Sequence, residues 1–284
     1  MRLDKLLVSR EIFTSRERAQ DAITQKTVAV DGKIVDKPAK EVADDAHIEV
    51  IDIFNKYVSR GGLKLEKALK VFAFDAKGLT CIDCGASTGG FTDCLLQSGA
   101  KKVYALDVGF GQLDRSLRED PRVVVMEHFN ARDLKPSDLE EPPDLIVSDL
   151  SFISQRLVYP AISCVIADGA RFISLIKPQF EVGRAAVGKN GIVKDRTEHI
   201  RAILELTSAA SASGLYLVAL SPSPITGGDG NREYLALFTK LQSGEVQTVS
   251  EYDIRKTVCD ALRHIAEHAD ELSDSERKAE LSYL

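Results

Sequence analysis

The chain is defined first by what it lacks. Nowhere in its 284 residues do 18 apolar residues run together, so no membrane-spanning helix is expected. Its opening residues, Met-Arg-Leu-Asp-Lys, hold no apolar signal core, which points to a cytoplasmic protein. Five cysteines, an odd number without an export signal, argue for reduced thiols and against a disulfide framework. Cys81 and Cys84 form a Cys-x-x-Cys with no second pair elsewhere, so they are read as small core residues and no metal site is expected. Positive charge is also scarce: the net charge is -6, which speaks against nonspecific polyanion binding by the whole chain. Residues 1–40 depart from this balance, with nine Lys/Arg against six Asp/Glu, and such a basic arm on an acidic body can still bind nucleic acid. There is no strongly basic amphipathic helix to suggest lysis of membranes.

What is present is an ordinary globular composition, 44% hydrophobic and 28% charged, long enough for one large domain and a small companion. The stretch from Cys81 to Val108 organises the larger part. A short apolar run, the turn Gly85-Ala-Ser-Thr-Gly-Gly-Phe91, a segment of helical length and a second apolar run closing on Asp107 describe a strand-helix-strand unit. Ligands sit outside the carboxyl ends of such strands, and an acid about 20 positions after the turn can hold ribose hydroxyls. A nicotinamide fingerprint would place a pyrophosphate on the helix start. Here Asp83 precedes the first glycine and Ser87 replaces the second, and a carboxylate at that place would repel a diphosphate. It suits a cationic ligand, and S-adenosylmethionine carries an ammonium and a sulfonium beside its adenosine. A turn of this kind can also merely join strand to helix.

The same letters, Gly85-Ala-Ser-Thr-Gly89, match the nucleophile elbow of serine hydrolases, with Ser87 as nucleophile and His199, His264 or His268 as base. That elbow normally follows several strands, whereas this turn follows the first strand of its domain. The hydrolase reading also leaves Asp83 and Asp107 without roles.

In chain order, residues 2–10 place Leu3, Leu6 and Leu7 on one helical face, and Ser15 caps a second helical segment with Ala19, Ala22 and Ile23 inward. Thr27–Val30, Asp31-Gly32 and Lys33–Val35 read as a hairpin, followed by a strand over His47–Ile51. A connector spans 53–60, and a helix is expected over Lys64–Phe74 with Lys64 at its start, where the helix dipole disfavours a cation. Further strands are expected at Arg122–Met126, Asp144–Leu150, Ala170–Ile176, Leu215–Leu220 and Glu233–Phe238, with helices over about 155–166 and from Asp195 to Ala212. Residues 178–194 read as a long, mobile, basic loop. Past residue 245 a helical pattern with Ile254, Val258, Ala261, Leu262 and Ile265 on one face suggests a helix that packs on the domain or on a partner. Together these predict an α/β protein: a Rossmann-like sheet with helices on both faces, preceded by a small α+β domain. The expected boundaries are 1–52, a linker at 53–60, 61–245, and a C-terminal helical extension at 246–284.

Four ionisable residues stand at predicted element ends beside the cleft: Lys64, Asp149, Lys177 and Glu233. Each adjoins an apolar run that can hold it rigidly. Other methyl acceptors lack their machinery, since no cysteine follows a proline, as cytosine C5 chemistry needs, and the fourth strand ends in Ser-Asp-Leu-Ser-Phe instead of an Asn/Asp-Pro-Pro-aromatic motif.

The N-terminal 2–52, with Arg-Leu-Asp-Lys-Leu-Leu and Val-Ala-Val-Asp-Gly-Lys, resembles the alpha-L RNA-binding motif shared by a small-subunit ribosomal protein and several pseudouridine synthases. Lys-Asp-Lys-Glu in this order around the glycine turn resembles the FtsJ-like ribose 2'-O-methyltransferases. With Val-Ser-Arg-Gly-Gly-Leu-Lys, Asp-Val-Gly-Phe-Gly-Gln-Leu, Ser-Asp-Leu-Ser-Phe-Ile-Ser and Lys-Pro-Gln-Phe-Glu-Val-Gly, residues 1–240 resemble the TlyA family of ribosomal RNA methyltransferases, historically labelled hemolysins. The resemblance implies S-adenosylmethionine as cofactor, ribosomal RNA or ribosomal subunits as partner, and Lys177 as general base with Lys64, Asp149 and Glu233 beside it. It implies cofactor contacts from Asp83, Gly85, Ala86, Ser87, Thr88, Gly89, Gly90, Phe91, Asp107, Val108, Asn130 and Asp149. Asn130 stands where an acid often contacts adenine. RNA contacts are implied for Arg2, Arg10, Arg16, Arg18, Arg60, Arg184 and Lys189. A lysine can act as base only if its pKa falls from about 10.4, and the second ammonium of Lys64 would push it that way. A noncatalytic RNA-binding protein that kept the fold is the alternative.

Overall fold

The structure, a computed structural model, describes residues 1–13, 16–24, 27–50, 56–188, 190–227, 230–241 and 247–267, leaving aside the side chains of 17, 18, 21 and 264–267. Ser15, Lys189 and His268 therefore lie outside the described residues, as do the side chains of Arg18, His264 and Ile265. The chain divides into two compact units, Met1–Tyr57 and a second from Val58 onward.

In the first unit, α1 (Leu3–Ser9) and α2 (Arg16–Thr24) accompany a three-stranded antiparallel sheet of β1 (Val28–Val30), β2 (Lys33–Ile34) and β3 (Ile48–Val50), in the order β2-β1-β3. Leu3, Leu7, Ala19, Ala22 and Ile23 bury their helical faces against Val28 and Val30, as their spacing dictates. Asp4 is the exception, a fully buried acid in α1.

The second unit is built on a seven-stranded sheet. Its strands are β4 (Thr80–Cys84), β5 (Lys102–Leu106), β6 (Val123–Met126), β7 (Leu145–Ser148), β8 (Arg171–Ile176), β9 (Leu215–Pro222) and β10 (Tyr234–Lys240), in the order β6-β5-β4-β7-β8-β10-β9. All neighbours are parallel except β10, which is antiparallel to both β8 and β9. Strand order reverses at β4, so the carboxyl ends of β4, β5 and β7 open a crevice there. Alternate residues of the strands serve opposite faces. After β5 comes the short α5 (Arg115–Arg118), and Ile82, Cys84, Tyr104, Leu106 and Ile146 join the cluster formed by α6 (Tyr159–Val165), α7 (Arg196–Ala212) and α8 (Glu251–Glu267). Asp83, between Ile82 and Cys84, instead bonds Thr92 of α4 (Gly90–Gln97).

Several elements differ from the sequence expectation for identifiable reasons. The helix expected from Lys64 is α3 (Gly61–Val71), so Lys64 sits one turn inside and not at the dipole's positive end. Two glycines, unfavourable inside helices, open it, and Gly90 lets α4 begin against them: a Cβ on Gly90 would lie 2.9 Å from the Gly62 nitrogen. The helix expected over 155–166 is broken into a 3₁₀ turn, Gln155–Leu157, and α6, because Pro160 has no N–H to continue the first into the second. Among the described residues of 178–194, Val182, Ile192 and Val193 are buried and Asn231 accepts from the Val193 N–H at 3.1 Å. The C-terminal helix packs on the domain itself, burying Ile254, Val258, Ala261 and Leu262 in the core shared with α7 and β9.

Candidate active site

The glycine turn follows β4 and is shaped by contacts that admit no side chain. Gly85 has φ +87°, and a Cβ there would meet the Asp149 carbonyl at 2.9 Å; Gly89 has φ +98° and would strike Leu117 at 2.2 Å. The turn is thus seated directly against the end of β7, which carries Asp149. Ser87, itself at φ 49°, donates its N–H to Asp107 Oδ2 at 2.8 Å, while Gly109 N–H donates to Oδ1 at 2.7 Å. Two backbone donors therefore aim the Asp107 carboxylate, and each oxygen keeps a lone pair for a further donor.

Asp83 holds the turn from below. It is fully buried, and its Oδ2 accepts from the Thr92 N–H at 2.9 Å and the Thr92 hydroxyl at 2.7 Å, capping α4. Oδ1 has no partner. Burial, with Asp149 and Asp107 nearby, raises this carboxyl to about 7 despite the Thr92 bonds. Asp83 was expected to meet the cofactor from the cleft wall; with no exposed surface it lies beneath the wall, because an inward-facing strand residue must pack under α4.

The four ionisable residues expected to converge do so as two ion pairs. Lys64 Nζ donates to Glu233 Oε2 at 2.6 Å, and Lys177 Nζ lies 2.6 Å from Asp149 Oδ1. All four are largely removed from water, Lys64 and Lys177 being 8% exposed and Glu233 3%. Burial raises the Glu233 carboxyl; both lysines oppose this and Asp149 adds to it, so one acid is within electrostatic reach of the other three. The reversed β10 makes the meeting possible. Tyr234 pairs with Ile176, setting Glu233 at the β8 end beside Lys177, and Gly227 lets the carboxylate lie where a Cβ would be 2.6 Å from Oε1.

A cleft between turn and ion pairs is lined by Ser59, Gly61, residues 85–88, Phe91, Asp149, Ser151 and Lys177. A larger depression, about 940 Å³, lies at the amino ends of the strands among Phe72, Leu79, Pro143, Ala170 and Leu237. It gathers no comparable set of convergent charges, so the smaller cleft is the chemical one. Neither Val108 nor Asn130 is among the residues lining that cleft: Val108 is 67% exposed and Asn130 caps the 3₁₀ turn Ala131–Asp133 through the Arg132 N–H. The residues present fit S-adenosylmethionine: an orphaned buried carboxylate oxygen under the turn, an oriented acid for ribose hydroxyls, and no basic side chain on the turn to hold a diphosphate.

Sequence reasoning missed Ser151 and Glu181. Lys177 donates its hydrogen bond to Ser151 Oγ at 2.8 Å. Glu181, 5% exposed, accepts from Ser154 Oγ at 2.5 Å and Gln155 N–H at 2.9 Å, fixing the loop that follows Asp149. Both lie in loops without periodicity; the only signal was a polar residue two positions past a strand-end acid. On that loop Phe152 is 92% exposed at φ 63°. Among the described residues no serine-hydrolase arrangement forms around Ser87, whose hydroxyl bonds Gln112, while His199 is buried between Tyr234 and the Val193 carbonyl. Cys81 and Cys84 are buried in β4, burial pushing the Cys81 thiol up to about 12. Among the described residues no group of three His, Cys, Asp or Glu could hold a metal ion, and no helix is long and apolar enough to cross a membrane.

In the first unit, Arg2 and Arg16 share the buried Asp4: Arg2 donates through Nε and Nη2 at 3.0 and 2.9 Å, Arg16 through Nη2 at 2.8 Å, and Gln20 joins at 2.6 Å. These charges hold the Asp4 carboxyl well below the usual carboxylate range. Both guanidinium groups still face water in part. Arg10 instead donates to the carbonyls of Ala46 and Asp44. In the second unit, Arg60 precedes α3 half-buried and Arg184 is exposed.

Residues 57–240 match the model of the FtsJ-like methyltransferases, and residues 1–48 that of the S4 domain. The chain belongs to the FtsJ-like methyltransferase family. This FtsJ-like chain is 45% identical over 234 residues to a Mycobacterium tuberculosis protein named 16S/23S rRNA (cytidine-2'-O)-methyltransferase TlyA, covering 82% of the one and 87% of the other. It is 46% identical over 239 residues to hemolysin A of Brachyspira hyodysenteriae, covering 84% and 99%. A Streptococcus thermophilus structure that carries a hemolysin name superposes with a TM-score of 0.77 at 40% identity, covering 95% of this chain and 98% of that one.

Proposed function

We propose that this FtsJ-like enzyme transfers the methyl group of S-adenosylmethionine to a ribose 2'-hydroxyl of ribosomal RNA. The observation that carries the reading is the paired tetrad: two lysines and two acids, from α3 and the ends of β7, β8 and β10, meeting beside a glycine turn suited to a cationic nucleoside. S-adenosylmethionine supplies an electrophilic methyl carbon bonded to a positively charged sulfur. Asp107 would receive the ribose hydroxyls of the cofactor, Asn130 would stand by its adenine, and the turn from Gly85 to Phe91 would line its methionyl end, with Asp83 beneath.

A ribose hydroxyl attacks well only as its proton leaves. Lys177, as neutral amine, would accept that proton while the hydroxyl oxygen takes the methyl group that bound S-adenosylmethionine would supply, the cofactor leaving as a neutral thioether. Asp149 steadies the resulting ammonium, and the Lys64–Glu233 pair keeps a second positive charge close without leaving it unpaired. A positioned base of this kind contributes about 10²- to 10⁴-fold, and alignment of donor and acceptor much of the remainder. Exposed Phe152, beside the cleft, offers a ring on which a base can stack. The half-exposed Arg2 and Arg16 of the S4 domain, with Arg10 and Arg18 as further candidates, would meet RNA phosphates, as would Arg60, Arg184 and Lys189.

The test is methyl transfer from labelled cofactor to ribosomal subunits prepared from cells lacking the gene. Wild type should modify a ribose, and Lys177→Ala should lose transfer while keeping cofactor affinity. Transfer to a base, or an undiminished rate in the variant, would refute the assignment.

A further inference from the structure

Lys177 has one aligned side-chain hydrogen bond among the described residues, and it runs to a residue that the tetrad does not include. Nζ donates to Ser151 Oγ at 2.8 Å. The 2.6 Å approach to Asp149 Oδ1 is an ion contact in which that oxygen takes no aligned hydrogen bond. The Phe180 ring stands 6.0 Å away on a further side of the amine.

These three neighbours respond differently when Lys177 loses its proton. The Coulombic hold of Asp149, and any cation–π attraction to Phe180, depend on the positive charge and fade with it. A hydroxyl acceptor is neutral, and an amine N–H bonds to it with or without the extra proton. A lysine ends a flexible four-carbon stem, so a base freed of its ionic partner would swing unless something else held it. Ser151 is exposed and lines the cleft, so its hydroxyl is not required for packing. The loop that carries it is nonetheless tightly specified. Asp149 N–H bonds the Cys84 carbonyl at 3.1 Å, Phe152 is held in a left-handed conformation, and Glu181 clamps Ser154 and Gln155. Gln155 in turn receives the Ser148 hydroxyl at 3.1 Å. Strain that persists because its surroundings enforce it is characteristic of functional loops.

We infer that Ser151 is a positioning residue, whose hydroxyl keeps the neutral amine of Lys177 in place so that its lone pair faces the reacting ribose hydroxyl. The inference rests on the reading of Lys177 as the base. It assigns Ser151 no contact with the cofactor's own groups and predicts an effect on turnover alone.

The experiment compares wild type, Ser151→Ala, Ser151→Thr and Lys177→Ala in the full chain. Single-turnover methyl transfer to ribosomal subunits is measured, with cofactor and subunit binding determined separately. Ser151→Ala should slow transfer about 10- to 100-fold, the scale set by losing alignment of one reacting group, with both affinities within about twofold of wild type. Ser151→Thr keeps the hydroxyl at an exposed position, and should return to within about threefold. A wild-type rate in Ser151→Ala beside an inactive Lys177→Ala would overturn the inference alone. So would a weakened cofactor affinity at unchanged rate, or a threonine variant as slow as alanine. An active Lys177→Ala would remove the base itself, and the role of Ser151 with it.

Discussion

Lys64 and Glu233 stand 169 positions apart in the chain, and their side chains meet at 2.6 Å with both largely buried. Such a pair is a weak source of stability as a whole, because both charges leave water to form it, yet removing one partner strands the other. Glu233→Ala should therefore destabilise the domain by about 3–5 kcal/mol, whereas Lys64→Met combined with Glu233→Leu should recover most of that loss. Both forms should be inactive in methyl transfer. Urea unfolding separates the two effects; a double variant no more stable than Glu233→Ala would contradict this account.

Asp83 predicts a pH signature. Its folded pKa, about 7, lies above the ordinary carboxylate value because burial disfavours the charge. The native state thus binds more protons than the unfolded chain between about pH 4 and 7, so the contribution of Asp83 is intact below about 3.8 and is lost as pH rises through 7. Asp83→Asn removes this term while keeping an acceptor for Thr92. Measured by denaturant titration from pH 5 to 8, the variant should gain on wild type as pH rises, and a constant difference would show that Asp83 does not titrate in this way.

Gly85 ties the turn to Asp149, so Gly85→Ala should act on both. It combines a left-handed φ with a carbonyl 2.9 Å from the new Cβ, and a loss of roughly 1–3 kcal/mol is expected along with weaker cofactor binding and slower transfer. Gly78→Ala is the comparison, with φ +76° and nothing within 4 Å of its Cβ. It should lose about 1 kcal/mol from strain alone and keep its activity. Equal activity in the two variants would argue against the role given to Gly85.

Arg2 and Arg16 have two duties. Each helps to satisfy buried Asp4 and also keeps donors toward solvent. Arg2→Ala or Arg16→Ala should lower stability by roughly 1–3 kcal/mol, as expected when a buried acceptor loses a charged donor. Each should also reduce the slope of log affinity for RNA against log salt by about one. Arg184→Ala, from an exposed loop, should change the slope without the stability. Calorimetry and salt-dependent RNA binding read the two separately.

The strands, the glycine turn and Asp149, Lys177 and Glu233 were legible because each has a local signature: an apolar run, a forced backbone, a charge beside a strand's end; Lys64, one turn inside α3, has none of these. What escaped the sequence depended on partners from afar. Asp83 reads as a cleft residue until the pleat is known to turn it under Thr92. Pro160 breaks a helix whose apolar spacing runs straight through it. Ser151 and Glu181 owe their importance to Lys177 and to the Ser154 hydroxyl and Gln155 N–H, which no periodic pattern brings near them.

The one reversed strand, β10, has a consequence in time as well as in space. Because Glu233 enters the site at the beginning of that strand, the partner that Lys64 requires is among the last parts of the domain to be synthesised. A growing or prematurely ended chain can carry both the glycine turn and Lys177 and still leave Lys64 without its counter-charge. The ion pair thus closes only when both edges of the domain's sequence, α3 near its start and the β9–β10 hairpin near its end, are present together.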